Sequence, residues 1–255
     1  MGLVEQERQS LLLEYLKEAK KASVSDLSKD FNVSEATIRR DLTKLERLGF
    51  LVKTYGGAIL SNSTQYEFSY NERLSRHVEE KERIGKFAAT LVKPGESVFL
   101  DSGTTTLQIG RHLTHLSDLT IVTAGLAIVQ ELGSHENLKV FVLGGAYRPH
   151  SQDLVGPTLI RTLMDFSVDI AFLSVDGFDP NHGLSAADPN EAETVRAANR
   201  IASRSVVVCD SSKAGKKAFA RICEIDEVDM IITDSGLSPD LKERIDKMNT
   251  TLKVI

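Results

Sequence analysis

The chain has 255 residues, 26% of them charged and 41% hydrophobic, with a formal net charge of −5. That length holds one large domain or a small module beside a medium-sized one, and only 17 glycines and 6 prolines exclude a collagen-like or low-complexity chain. No apolar run approaches the roughly 20 residues of a membrane-spanning helix, the first residues are too charged for a secretory leader, and two cysteines, Cys209 and Cys223, make neither a disulfide framework nor a metal quartet.

A cytoplasmic protein with no cofactor, no metal and no membrane partner is therefore expected. The charge is not evenly spread. Residues 1–60 carry a balance of +1 and the remaining 195 carry −6. The rhythm changes at the same place, from short helices and a hairpin to alternating strands and helices.

The first helix is expected from about Val4 to Lys20, with Leu12, Leu16 and Ala19 on one stripe. Ser23 and Asp26 resemble a capping box opening a short second helix with Leu27 and Phe31 inward. Asn32-Val33 breaks that helix. Ser34 is the N-cap of a third, which stops before Gly49, a C′ glycine. Ile38, Leu42 and Leu45 fall within one arc of the third helix. Ala36, Arg40, Thr43 and Arg47 fall on the opposite side, flanked by Thr37, Arg39 and Lys44. The apolar runs 50–52 and 58–60, around Lys53-Thr54-Tyr55-Gly56-Gly57, predict a hairpin with a glycine-assisted tip.

Ser61 to Gln65 is polar, and 61–75 is read as the linker between a domain of residues 1–60 and one of 76–255. A long amphipathic helix is expected from about Asn71 to Val92, ending at Pro94-Gly95. Strands follow at Ser97–Leu100, Thr120–Thr123, Lys139–Leu143, Ile170–Val175, Ser205–Val208 and Met230–Thr233, separated by helical stretches. That alternation predicts βαβ units and a mostly parallel sheet. Several strands finish in small or acidic residues, and ligands of parallel sheets bind beyond the carboxyl ends of strands.

Two short helices, a tight turn and a third helix with a basic outer face make a helix-turn-helix, and the hairpin makes it winged. Arg39 and Arg40 offer forked donors for guanine edges or phosphates. Thr37 and Thr43 suit phosphate or a thymine methyl, Lys44 and Arg47 suit phosphates, and Lys53 and Tyr55 suit the backbone or minor groove. The competing reading is a small solvated bundle whose arginines pair with Asp41 and Glu46.

In the larger domain, Asp101-Ser102-Gly103-Thr104-Thr105-Thr106 lies between a strand and a helix. Free N–H groups at the helix start and three threonine hydroxyls can hold an oxyanion there, though an ordinary N-cap turn has the same composition. Lys213, in Asp210-Ser211-Ser212-Lys213, follows another strand end and can meet the same phosphate as a point charge. Gly145 and Arg148, in Gly144-Gly145-Ala146-Tyr147-Arg148, offer backbone approach and a guanidinium, or else a plain turn. Asp176 and Glu191 suit sugar hydroxyls, and Glu193 suits the helix dipole.

The run Val33-Ser34-Glu35-Ala36-Thr37-Ile38-Arg39-Arg40-Asp41-Leu42-Thr43-Lys44-Leu45-Glu46, then Gly49 and Lys53-Thr54-Tyr55-Gly56-Gly57-Ala58, resembles the DeoR/GlpR family of bacterial transcriptional regulators. The likeness covers essentially the whole chain. It implies an N-terminal winged helix-turn-helix on operator DNA, with Ser34 and Gly56 among its contacts, and a larger α/β sensor domain. That domain would be of the ribose-5-phosphate isomerase and glucosamine-6-phosphate deaminase type. By the same likeness Ser102 to Thr106 is a phosphate loop, Lys213 a phosphate partner, and Asp176 and Glu191 sugar-side residues. The family's Asp-Ser-Ser-Lys and Gly-Gly-x-x-Arg runs are both present, whereas Ala214 stands where a phenylalanine often follows the lysine.

The expected function is a repressor of a carbohydrate-utilisation operon. It would bind double-stranded operator DNA as a dimer or tetramer, under control of a phosphorylated sugar. The alternative is a sugar-phosphate isomerase or deaminase carrying a DNA-binding module, with Glu191 as general base. The six histidines, His77, His112, His115, His135, His150 and His182, fall in no catalytic run.

Overall fold

The computed structural model describes residues 5–19, 21–47, 50–60 and 68–255, without the side chains of Gln6, Lys17, Arg47, Val52, Ile59 and Leu60. Val4, Lys20, the expected C′ glycine Gly49 and the polar stretch 61–65 lie outside the described residues. The chain divides into two compact units, Met1–Tyr66 and Glu67–Ile255. Among the described residues no helix is long and apolar enough to cross a membrane.

In the first unit, helix α1 (Glu5–Ala19) precedes strand β1 (Lys21–Ser23), helices α2 (Val24–Asp30) and α3 (Glu35–Arg47), and strands β2 (Leu51–Thr54) and β3 (Gly57–Leu60). Leu12, Leu16, Leu27, Ile38, Leu42 and Leu45 are buried together, as their spacing predicts. Leu13 joins them, whereas Ala19 at the helix end is exposed. Ser23 caps α2 by accepting from the Asp26 amide at 3.1 Å.

The wing holds a strand that the sequence reading did not include. β1 pairs antiparallel with β3, giving the order β1-β3-β2. With only three residues, one of them apolar, β1 has no period to read. Two adjacent glycines serve this wing differently. Gly56 turns the hairpin with φ +87°, a left-handed conformation that side chains disfavour. At Gly57 a Cβ would lie 2.1 Å from the Ala22 carbonyl oxygen, so the absence of a side chain here is what lets β3 lie this close to β1.

The second unit is a parallel α/β sheet. Its strands β4 (Ser97–Leu100), β5 (Leu119–Thr123), β6 (Leu138–Val142), β9 (Ile170–Leu173), β12 (Ser205–Val208), β14 (Met230–Thr233) and β15 (Thr251–Val254) stand in the order β15-β14-β12-β9-β4-β5-β6. Every neighbouring pair is parallel. Between them run β7 (Ala146–Arg148) and β8 (Asp153–Val155), which form a hairpin, and β10 (Gly177–Asp179), β11 (Gly183–Ala186) and β13 (Ala220–Cys223), which form a small antiparallel sheet. Helices α4 (Tyr70–Leu74), α5 (Val78–Ala89), α6 (Thr104–Leu113), α7 (Leu126–Leu132), α8 (Pro157–Leu163), α9 (Pro189–Ile201) and α10 (Pro239–Ile245) complete it.

Strand residues alternate between two cores. Val98, Leu100, Ile170 and Phe172 pack with Ile84 and Ile109 on one face, and Phe99, Ala171 and Leu173 pack with Leu159 and Val195 on the other. A sheet covered on both faces explains the near-continuous apolar strands. From β4 the chain proceeds to β5 and β6 on one side, then to β9, β12, β14 and β15 on the other. The order thus reverses between β4 and β9, where doubly wound sheets open a ligand crevice.

The expected helix over 71–92 is two helices, a correction with a visible cause. α4 ends at Ser75, and His77 takes the left-handed region with φ 51° before α5 begins. Lys81 is buried beneath the break, its Nζ donating to the carbonyls of Arg73 and Arg76. It satisfies the carbonyls that the interruption frees. Tyr70, within the stretch read as linker, is buried in the second unit and donates its amide to the His150 carbonyl at 2.8 Å.

Candidate functional site

Two arrays of side chains stand out, one in each unit. In the first, α3 turns Ile38, Leu42 and Leu45 inward and its other faces outward. Asp41, only 1% exposed, is also inward, gripped by Arg8 through Nε–Oδ2 at 2.6 Å and by Gln9 at 3.0 Å. It ties α1 to α3 and does not neutralise the outer arginines, against the solvated-bundle reading.

The outer face is arranged as follows. Ser34 accepts from the Thr37 amide at 3.2 Å, and the two hydroxyls lie 2.9 Å apart. Ala36 is exposed. Arg39 pairs with Glu35 at 3.0 Å one turn away, and Lys44 pairs with Glu5. Thr43 donates to the Arg39 carbonyl at 2.7 Å and accepts from Lys53 Nζ at 3.1 Å. Lys53 also lies 3.4 Å from Glu46, which accepts the Lys53 amide at 3.0 Å. That amide, with the ammonium beside it, holds the Glu46 carboxyl below its usual range.

Wing and helix are therefore joined through Lys53. Tyr55 stands fully exposed at the wing tip beside Gly56. Arg40 is exposed and forms no ion pair among the described residues. The side chain of Arg47 lies outside the described residues. The surface ion pairs of Arg39, Lys44 and Lys53 are worth little in water, so a phosphate can displace their carboxylates. A narrow helix with outward guanidinium and hydroxyl groups, and a wing beside it, is the geometry that reads a major groove.

The second array lies at the carboxyl ends of β4, β9 and β12, adjacent strands at the reversal. Asp101 is buried there. Its Oδ1 accepts the Ser102 amide and its Oδ2 the Ser174 amide, both at 2.9 Å. Burial pushes its carboxyl up despite those amides. It braces the strand ends across the β4–β9 reversal, with both oxygens engaged by the scaffold. Gly103 is also placed by packing, since a Cβ would lie 2.1 Å from Ser174 Oγ.

Gly103 is the N-cap of α6 and supplies no side-chain acceptor, leaving the first amides of Thr104, Thr105 and Thr106 for another acceptor. The Thr106 hydroxyl is committed inward, donating to the carbonyls of Asp101 at 2.6 Å and Gly103 at 2.7 Å. Ser102 donates to Asp153 at 3.2 Å.

Opposite, Asp210 caps the short turn Ser211–Lys213, and Lys213 Nζ reaches Asp176 Oδ1 at 3.0 Å. Asp176 also accepts the Ala187 amide at 3.0 Å. Burial pushes the Asp176 carboxyl up, but the Lys213 ammonium and the Arg73 guanidinium outweigh it and hold it below its usual range. At the outer side Arg148 meets Asp153, Asp188 and Glu191 at 2.8, 3.2 and 3.0 Å. The close approach at Gly145 is to its own neighbouring strand, where a Cβ would lie 2.7 Å from the Val155 carbonyl oxygen.

Arg73, Lys81, Asp153 and Asp188 are additions to the residues expected from sequence. Asp188 carried a readable signal, an acid before a proline at a helix start. Lys81 carried no such signal, as a lysine within a stretch expected to be one amphipathic helix, and it is buried beneath the break in that helix. Burial lowers its ammonium pKa to about 8, with the Asp210 carboxylate opposing and Lys213 adding to the fall. Among the described residues no cluster of histidine, cysteine and carboxylate side chains is arranged to hold a metal.

The comparison with known proteins bears on both arrays. The DeoR-like helix-turn-helix domain matches residues 8–64, and the DeoR C terminal sensor domain matches residues 76–235. This chain belongs to the DeoR family. The HTH-type transcriptional regulator GolR of Listeria innocua is 33% identical over 248 residues, covering 97% of this chain and 98% of GolR. The HTH-type transcriptional repressor GlcR of Bacillus subtilis is 32% identical over 232 residues, covering 91% of this chain and 89% of GlcR.

Among solved structures, ribose 5-phosphate isomerase A of Methanocaldococcus jannaschii is similar at 20% identity, covering 56% of this chain and 55% of that one, with a TM-score of 0.39. That likeness carries no residue role. With relatives of this kind along its whole length, the DeoR-family chain is a DNA-binding transcriptional regulator and not an enzyme.

Proposed function

We propose that this regulator represses a carbohydrate-utilisation operon in the cytoplasm. A phosphorylated sugar in the strand-end crevice would set how tightly its winged heads hold double-stranded operator DNA. Residues 1–60 read the DNA through Arg40 and its neighbours, and residues 76–255 bind the effector and assemble a dimer or tetramer. The observation that carries the effector reading is the uncapped start of α6 at the same strand reversal as Lys213. First-turn amides and an ammonium are a phosphate-binding pair, and the carboxylates of Asp176 and Glu191 suit sugar hydroxyls. The crevice couples to DNA affinity if ligand shifts the population between arrangements of the heads.

The test is fluorescence anisotropy on the promoter region of the chain's own operon, titrated with phosphorylated sugars, beside a thermal-shift screen of the same panel. A ligand that binds only the folded state must raise its melting temperature. The expected result is one sugar phosphate that stabilises the protein and changes operator affinity at least tenfold. Turnover of any panel member by the purified protein, or failure to bind the promoter DNA, overturns the reading.

A further inference from the structure

One guanidinium of the crevice faces three carboxylates. Arg148 ends β7, and Asp153 is its direct partner across the β7–β8 hairpin. Arg148 Nε donates to Asp153 Oδ1 at 3.0 Å and Nη2 to Oδ2 at 2.8 Å, a forked pairing that a guanidinium makes and an ammonium does not. The remaining donors turn toward α9, with Nη1 at 3.2 Å from Asp188 and Nη2 at 3.0 Å from Glu191.

Asp188 is itself the N-cap of α9, its other oxygen accepting the Asn190 and Glu191 amides at 2.7 and 3.2 Å. Asp153 is 1% exposed and also accepts from Ser151 and from Ser102 of the expected phosphate loop. A continuous strap therefore runs Ser102–Asp153–Arg148–Glu191. One positive and three negative groups leave it a formal charge of −2, so a phosphate approaching Arg148 meets more repulsion than attraction.

We propose that Arg148 is a positioning residue. It fixes Glu191, on the first turn of α9, against the phosphate loop, and the phosphate itself binds elsewhere, at the α6 start and Lys213. The inference rests on the sugar-phosphate reading of the crevice and deepens it. Selection among sugars depends on the strap, whereas affinity for bare phosphate does not.

The experiment compares the full-length wild type with Arg148→Gln, Arg148→Lys, Glu191→Gln, Lys213→Ala and the Arg148→Gln/Glu191→Gln double variant. Calorimetry uses inorganic phosphate and a panel of glucose 6-phosphate, fructose 6-phosphate, ribose 5-phosphate and glycerol 3-phosphate. In Arg148→Gln the inorganic phosphate Kd stays within twofold, while Lys213→Ala raises it at least tenfold. The panel member that the wild type prefers loses at least tenfold in Arg148→Gln and in Arg148→Lys, with no further loss when Glu191→Gln is added. A phosphate loss in Arg148→Gln equal to that in Lys213→Ala, or losses at Arg148 and Glu191 that multiply, overturns the proposal.

Amide hydrogen exchange adds an arm that needs no ligand. Protection of the α9 first turn falls at least tenfold in Arg148→Gln, with the α6 first turn unchanged. Unchanged α9 protection sinks the strap. If the wild type binds neither phosphate nor any panel member, the sugar-phosphate reading fails and the exchange arm still decides the role of Arg148.

Discussion

The cations of α3 and the wing are not equivalent. Arg39, Lys44 and Lys53 each have an acidic neighbour, Glu35, Glu5 and Glu46, while Arg40 reaches solvent from the same face with no ion pair among the described residues. On the proposed DNA-reading role, Arg40 would enter a groove without first leaving a carboxylate. Arg40→Ala is expected to weaken operator binding by about 1–3 kcal/mol and to relax preference for the operator over a scrambled duplex. Anisotropy across a salt titration measures both, and unchanged affinity with unchanged preference would mean that the arginine is only solvated. Lys213 makes the complementary case in the second unit. Lys213→Ala is expected to stay folded by circular dichroism and to bind the operator as the wild type does, yet to lose its response to sugar phosphate. An undiminished response would remove Lys213 from the phosphate site.

At the scale of elements, the α4–α5 break makes a prediction from pH alone. The ammonium of Lys81 has a folded-state pKa of about 8 against an ordinary 10.5 because burial disfavours its charge. Between those values the unfolded chain holds more protons than the folded one, so this group makes stability rise with pH across that window. Below about 8 the penalty is present in full, on the order of 3 kcal/mol. Urea unfolding at pH 7.5 and 9.5 should show the rise in the wild type and lose it in Lys81→Met. An equal rise in both would exclude Lys81 as its source.

That break also marks where the sequence stopped being readable. Apolar spacing revealed α3, the hairpin and six parallel strands, because a buried stripe or a two-faced buried strand leaves a period. The strands β1, β7, β8 and β10 have three residues each and leave none, and in β11, β13 and β15, of four residues each, polar or small residues interrupt the apolar ones. Strand-end loops pointed to the carboxyl ends of β4, β9 and β12 as the candidate site, since small and acidic residues gather there. The partners within it were hidden, because Arg148 meets Asp188 and Glu191 only after β7 and α9 have been brought together from distant stretches of chain.

At the scale of the whole molecule, charge separates the two units. A near-neutral head of +1 carries Arg39, Arg40, Lys44 and Lys53 exposed on α3 and the wing, and the rest of the chain carries −6. A net charge of −6 would repel DNA and leave attraction to the winged head, and a single head of this charge would be a weak ligand for a duplex. On the proposed dimer or tetramer, strong operator binding would come from two heads on one assembly, where the second contact forms at a high effective concentration. Footprinting of the promoter should show two protected half-sites separated by whole helical turns. Scrambling one of them should cost at least tenfold in affinity, and inserting half a helical turn between them should cost a similar factor, although every base contact remains. A protein that binds the single half-site as tightly as the pair would be acting through one head, and the assembly of the second unit would then have no part in reading DNA.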